Sequence, residues 1–356
     1  MLNVALTFDY ELFFGENFDT ADAILFDPTK KLLDVLDRYN VKATFFADVL
    51  SVYMHEKYGL TDYCEKFKAQ LQDMISRGHD VQLHIHSNWL KSMFADGKWN
   101  FDIDSYRIHT FGFDNNEETS VPNIIKWGKE YLESVAREVD GNYCCVAYRA
   151  GGYSVQPHEQ LFKCLLKNQI YIDSSVAIGQ KADGVNKYDF TEFPERCGWW
   201  VKTDGKLNEP SEQAENAMYE IPIYFYRNSL LRRLFAPKSE QRLKLGKMRG
   251  SFVGTNTQNI STKRKRKLEI LFSYGKIKSL LSVDSLPYQA VLRAIDICAK
   301  KNSSKNGSIS IIGHPKLVDN VWLENFDNFL NEAKKHKHLS LIPICEMAYL
   351  LRNKNV

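Results

Sequence analysis

At 356 residues, 44% of them hydrophobic, the chain is long enough to bury one large core, and its formal net charge is only +3. No run of 18 apolar residues occurs, which excludes a membrane-spanning helix of ordinary length, and no repeat or low-complexity tract interrupts the sequence. Seven cysteines, an odd number that includes adjacent Cys144 and Cys145, fit reduced thiols better than a disulfide framework. The first residues lead straight into Asn3-Val4-Ala5-Leu6 with no room for a secretory leader, so a cytoplasmic, single-domain protein spanning residues 1–356 is expected.

Leu2 to Phe8 reads as a buried strand running directly into Asp9-Tyr10-Glu11, which places two carboxylates at a strand's end. In α/β proteins, open or barrel-shaped, the carboxyl ends of parallel strands carry the chemistry, because the loops there vary while the sheet holds them rigid. Thr29 to Tyr39 carries the apolar stripe of a covering helix at Leu32, Leu33, Val35 and Leu36, and Val41 to Ala47 is a second strand. Cys64 to Arg77 is a further amphipathic helix stopped by Gly78. The next strand ends in His84-Ile85-His86, with Val81, Leu83 and Ile85 on one face and the two imidazoles on the other. Side chains at i and i+2 leave the same face of a strand, so His84 and His86 can converge on one ion. A bare His-x-His also fits two polar residues on a solvated strand face. Asp9 and Glu11 share a face in the same way, and a carboxylate with two imidazoles suits zinc or another divalent first-row metal, with a position left open for water.

Leu90 to Val121 is aromatic and polar without a clear period, and reads as a long excursion over the active face. Val121 to Val139 is a helix, Tyr143 to Tyr148 a strand delivering Arg149, and Leu161 to Asn168 a helix. Ile170-Tyr171-Ile172 is a strand reaching Asp173-Ser174-Ser175, where Asp173 or Ser174 would equally serve to cap a turn. The composition then turns polar, Trp199-Trp200 excepted, until Tyr219 to Tyr224 resumes as a strand. From Arg227 to Lys278, fifteen Lys or Arg face two Glu, a local balance of +13 against −10 for the rest of the chain. This basic insertion, residues 227–278, contains Lys263-Arg264-Lys265-Arg266-Lys267 and, at Leu230, Leu231, Leu234 and Phe235, an amphipathic cast. Such a run suits phosphates or an anionic membrane surface, at roughly 1 kcal/mol per basic residue near the membrane; a solvated insertion is the competing reading. Pro287 to Lys300 returns to a helix, Ser308 to Ile312 is a strand carrying His314, Val321 to His336 is a helix and Leu339 to Ile344 the last strand. No stacking-and-basic pattern or known motif points to nucleic acid, and none is expected as a partner.

Thr7-Phe8-Asp9, Ala43-Thr44-Phe45-Phe46 and Gly78-His79-Asp80 leading into His84 resemble, in order and spacing, the motifs of the polysaccharide deacetylases of the NodB-homology type. Tyr148-Arg149-Ala150-Gly151-Gly152-Tyr153 looks like that family's arginine motif, and Ile309-Ser310-Ile311-Ile312-Gly313-His314-Pro315 like its strand ending in a late histidine. The resemblance covers residues 1 to 180 and 305 to 350 and implies a deformed (β/α) barrel of about seven strands. It also implies a metal-dependent N-deacetylase. In this sequence the metal ligands would be Glu11, His84 and His86, the ion zinc foremost, with cobalt, nickel or manganese as alternatives. Asp9 would be the general base, Arg149 would pair with Asp9 and keep it ionised, and His314 would protonate the leaving amine.

Two positions depart from the family pattern. Its first motif is usually Thr-Phe-Asp-Asp, with the second carboxylate on the metal, and position 10 here is Tyr; its two histidines usually stand four apart, and position 88 is Asn. Glu11 and His86 are the nearest replacements, so the chain has either reshaped its metal shell or kept the fold and lost the reaction. His79 reads as structural, while His55, His109, His158, His336 and His338 have no evident partners, and Asp173 has no assigned role. The substrate expected is an acetylated sugar bearing phosphate, a sugar nucleotide or a lipid-linked glycan at the inner membrane face, in surface polysaccharide biosynthesis. The alternatives are a small non-sugar amide enclosed by the Leu90 to Val121 excursion, or a non-catalytic glycan-binding relative.

Overall fold

In the computed structural model, residues 2–12, 19–114, 116–227, 278–302, 307–336 and 339–353 are described. The basic insertion therefore lies outside the described residues except at its two ends, as does His338. The main sheet has nine strands: β1 (Leu2–Tyr10), β2 (Thr44–Asp48), β3 (Asp80–Ile85), β4 (Ala147–Ala150), β5 (Ile172–Asp173), β6 (Trp199–Lys202), β7 (Ala217–Glu220), β8 (Gly307–Gly313) and β9 (Leu339–Leu341). Their order is β6-β7-β5-β4-β3-β2-β1-β8, with β9 also beside β1, and every pairing is parallel except β6 with β7. Parallel strands buried on both faces read as near-continuous apolar runs, which is why β1 and β3 stand out in the sequence. The expectation of about seven strands is exceeded by two: Trp199-Trp200, two aromatics in a polar stretch, form an antiparallel edge strand, and β9 lies beside β1 off the main order.

The sheet curls until its two ends meet. Just past β7, Ile223 makes parallel bridges to Ala177 on one side and to Ser310 of β8 on the other. Its N–H donates to the Val176 carbonyl at 2.9 Å, and the Ser310 N–H donates to the Pro222 carbonyl at 2.8 Å. The outcome is the deformed α/β barrel that the motifs imply.

Eight helices among the described residues accompany it: α1 (Asp27–Arg38), α2 (Val49–Lys57), α3 (Thr61–Ser76), α4 (Val121–Arg137), α5 (Glu159–Lys167), α6 (Tyr288–Lys301), α7 (Asn320–Ala333) and α8 (Ile344–Asn353). On α4, Gly128 lies so close to Val49 of α2 and Leu83 of β3 that an added Cβ would come within 2.9 Å of both side chains, so only glycine permits this approach. Among the described residues no helix is long and apolar enough to cross a membrane.

The amino-terminal end of the barrel is plugged. Ala5, Phe46, Ala147, Ile172, Tyr219 and Ile221 pack with Ile344, Met347 and Ala348 of α8 in one buried cluster. Beside it Asp80 is buried and fully occupied by neutral donors: Thr44 Oγ1 at 2.9 Å, Gln82 Nε2 at 2.6 Å and the Cys345 N–H at 3.1 Å, the last from the first turn of α8. On the opposite side of the sheet Asp173 and Glu220 pair in register and are both wholly buried. Burial first, then the neighbouring Asp173 carboxyl, holds the Glu220 carboxyl well above its ordinary range.

Candidate active site

The alternation of β1 sorts the three residues at its end. Tyr10 points away from the barrel interior, with its hydroxyl donating to Gln70 Oε1 at 2.7 Å and its ring 5.0 Å from that of Phe67 on α3. Asp9 and Glu11 point the other way and meet the imidazoles of β3. Glu11 Oε2 lies 3.1 Å from His84 Nε2 and also contacts His86 Nε2, and one donor atom from each of the three residues falls within 4.8 Å of the others. The expected trio is therefore brought together, and Tyr10 could not have served as a ligand from the face it occupies.

This donor set fits a divalent ion. His84 Nδ1 is 2.8 Å from the Arg149 carbonyl, so it carries a proton there, and in the neutral imidazole Nε2 keeps its lone pair for an ion held against Glu11. Asn88, in the turn that follows β3, is held by its amide nitrogen, which donates to the Asp102 carbonyl at 3.0 Å, while its Oδ1 is buried without a hydrogen-bond partner. The His86 backbone N–H donates to Asp48 Oδ1 at 3.1 Å, and Trp89 Nε1 donates to Asp48 Oδ2 at 2.7 Å, which fixes the chain between the two positions. Asp48, at the end of β2, went unread in the sequence although it sits at a strand end as Asp9 does.

Arg149 is buried beneath Asp9. Its Nη1 donates to Asp9 Oδ1 at 2.6 Å, its Nε to the Ser174 carbonyl at 2.9 Å and its Nη2 to Ser174 Oγ at 2.9 Å, while the guanidinium stacks 4.1 Å from the Phe46 ring centroid. So Ser174 is the member of Asp173-Ser174-Ser175 that supports the site, and Asp173 is turned to the far side of the sheet. Burial raises the Asp9 carboxyl, but Arg149, then His84 and His314, outweigh it and hold the group below its ordinary value. Burial likewise opposes ionisation of Glu11, and Lys316 and the two histidines bring it well below the usual carboxylate range.

His314 closes the other side, its Nε2 3.8 Å from Asp9 Oδ2 and 3.9 Å from Glu11 Oε1. Its Nδ1 lies 2.8 Å from Asp284 Oδ2, and its backbone N–H donates to Asp284 Oδ1 at 3.1 Å. Trp322 Nε1 and Ser282 Oγ each donate to the same carboxylate at 3.1 Å. Burial lowers the His314 pKa, yet the hydrogen bond and charge of Asp284 more than reverse this and raise it. Lys316 Nζ donates to Glu11 Oε1 at 2.5 Å and to the Leu12 carbonyl at 3.3 Å. Neither Asp284 nor Lys316 was foreseen. The signal for Asp284 was present, since Leu280-Leu281-Ser282-Val283-Asp284 is again an apolar run ending in a carboxylate.

The Leu90 to Val121 excursion holds a short hairpin, Met93–Ala95 with Lys98–Asn100, whose Trp99 packs with Trp89, His55 and Phe94. Tyr106, further along, sets its ring edge-on to His86 at 5.3 Å and so brings the excursion to the site. His79 is structural as expected, its Nδ1 accepting from the Ala43 N–H at 3.2 Å and its pKa lowered by burial to about 4. Three other histidines also find partners: His55 Nδ1 with the Ser51 carbonyl, His109 Nε2 with the Pro157 carbonyl, and His336 with Asp296.

Residues 3–161 match the family model described as polysaccharide deacetylase. The amino-terminal part of the chain is thus similar to the polysaccharide deacetylases. Nothing among the curated proteins matches. Among solved structures, the chain is similar to a Parabacteroides distasonis protein assigned as a glycoside hydrolase/deacetylase (10% identity, 99% of this chain and 71% of that one, TM-score 0.55). It is also similar to a 4-alpha-glucanotransferase from Thermococcus litoralis (10% identity, 97% and 40%, TM-score 0.50). A third match, to a protein assigned as a polysaccharide deacetylase from Mycobacterium smegmatis, has 16% identity over 100% and 91% of the two chains with a TM-score of 0.48. At such identities these likenesses speak for the barrel alone.

Proposed function

We propose that this protein is a divalent-metal-dependent N-deacetylase, most simply a zinc enzyme, that removes an acetyl group from an acetamido sugar. The observation that carries the reading is the convergence of Glu11, His84 and His86 between two tuned pairs, Asp9 with Arg149 and His314 with Asp284. Glu11, His84 and His86 hold the ion, which when bound supplies Lewis acidity toward the acetyl carbonyl and toward water. Asp9, kept ionised by Arg149, takes the proton of the attacking water. His314 donates from Nε2 to the departing sugar nitrogen, while Asp284 keeps the imidazole oriented and protonated. A positioned acid or base of this kind contributes typically about 10² to 10⁴-fold. Tyr10 and Asn88 are then marks of a reshaped ligand set, since side chains of the right chemistry stand at positions 11 and 86.

The substrate in this reading bears phosphate, as a sugar nucleotide or a lipid-linked glycan, and serves surface polysaccharide biosynthesis in the cytoplasm or at the inner face of the membrane. Its support is the run Lys263-Arg264-Lys265-Arg266-Lys267, within a basic insertion that we take to belong to one catalytic domain spanning the chain. Elemental analysis of purified protein beside Glu11→Ala, His84→Ala and His86→Ala, followed by acetate release from acetamido sugar nucleotides, tests the reading. Stoichiometric metal in the parent, lost in all three variants, is expected. A parent protein that stays empty when zinc, cobalt, nickel and manganese are supplied would sink it in favour of a glycan-binding relative.

A further inference from the structure

Away from the active site, two thiols from distant parts of the chain meet. Cys197, in the segment leading into β6, and Cys298, on α6, have their sulfurs 3.1 Å apart across a separation of 101 residues. Both side chains are buried, Cys298 wholly and Cys197 at 9% exposure. The gap is about 1 Å longer than a covalent S–S bond of about 2.05 Å, a difference that small side-chain rotations can close.

The approach is built into the surroundings. Gly307, the first residue of β8, lies directly against Cys197, and a Cβ there would collide with the Cys197 Cβ and stand 3.3 Å from its sulfur. From the other side Asn302 Nδ2 donates to the Cys298 carbonyl at 2.9 Å and reaches the Cys298 sulfur at 3.8 Å, which steadies the last turn of α6 around the thiol. Cys144 and Cys345, by contrast, are exposed.

We propose that Cys197 and Cys298 are a redox-modification site that closes to a disulfide under a peroxide and reopens with a thiol reductant. Cys298, toward whose sulfur the Cys197 thiol and Asn302 Nδ2 both point and whose thiolate they favour, attacks hydrogen peroxide; the O–O bond breaks, one water leaves and a sulfenic acid forms. The Cys197 sulfur then displaces the sulfenic oxygen, which departs as a second water, and the S–S bond takes its place. Two thiols are oxidised by two electrons and one peroxide is reduced to two waters. The cross-link fastens the segment before β6 to α6, the helix that begins four residues after Asp284.

The test uses the full-length protein treated with hydrogen peroxide, alkylated and digested without reduction. The expected product is a peptide pair joining Cys197 to Cys298, lighter by two hydrogens than the sum of its parts and separated by phosphine. Oxidation should also raise the thermal midpoint by about 5 °C, and Cys298→Ala should show neither the link nor the rise. Recovery of the Cys197 and Cys298 peptides singly, at peroxide doses that already oxidise Cys144, would overturn the proposal; this readout is taken on the unsubstituted chain and does not depend on the variant folding.

Discussion

The two ends of the barrel bury carboxylates in opposite ways. At the plugged end, Asp80 is surrounded by neutral donors, and burial raises its pKa despite them. At the open end, Asp9 is buried as deeply, yet the charges of Arg149, His84 and His314 pull it down. Neutral hydrogen bonds satisfy a carboxyl group without forcing it to ionise, whereas a full charge at contact distance does. The linkage signs differ accordingly. Asp9 contributes stability that is present above its unfolded pKa and lost as pH falls through the depressed folded value. Asp80 contributes stability that is present below its unfolded pKa and lost as pH rises through the raised one. One end is made to hold charge for chemistry and the other to hold the chain together.

The sharpest way to break this contrast is Asp9→Asn, which keeps the shape and removes the charge: deacetylation should fall by about 10² to 10⁴-fold while metal content persists, as rates and elemental analysis will report. If the plug is purely structural, Ile344→Ala should cost about 2 to 4 kcal/mol in denaturant unfolding and leave the folded protein's metal content unchanged. Asp284→Asn removes the carboxylate that raises His314, so the alkaline limb of the kcat profile should move to lower pH, with the rate at neutrality reduced about tenfold. The smallest effect belongs to Glu220, whose raised pKa places its contribution below the unfolded pKa and removes it as pH climbs through the folded one. Glu220→Gln supplies a permanent donor to Asp173, so its midpoint should decline less above neutrality than the parent's, by on the order of 1 kcal/mol in stability.

The open end was legible because its residues follow two simple periods. Asp9 with Glu11 and His84 with His86 obey the two-residue repeat of a strand, and the apolar runs before them announce where the strands end. What escaped reading lacked such a contrast. Helix α2 buries Val49, Leu50, Ser51, Val52, Met54 and His55, so apolar and polar residues alike turn inward and no stripe forms. Asp284 fell between a basic run and a helix, and its strand-like approach is only five residues long. The last expected strand, Leu339 to Ile344, stops at Leu341, and Ile344, Met347 and Ala348 are instead the three-and-four spacing of α8, buried face inward. Lys316 had no signal at all, because a lysine after a Pro-containing turn is an ordinary surface residue until the fold brings it to Glu11.

The pairing of β1 sets a timetable for synthesis. Leu2 to Phe8 find their partners at residues 307–313, and Leu2 to Val4 a further neighbour at residues 339–341, so the strand bearing Asp9 leaves the ribosome some three hundred residues before its edge can be covered. Until then one edge of the strand keeps its amides unpaired, and only β2 is at hand to cover the other. Assembly of the site is therefore a late event, completed only as the carboxyl-terminal strands emerge.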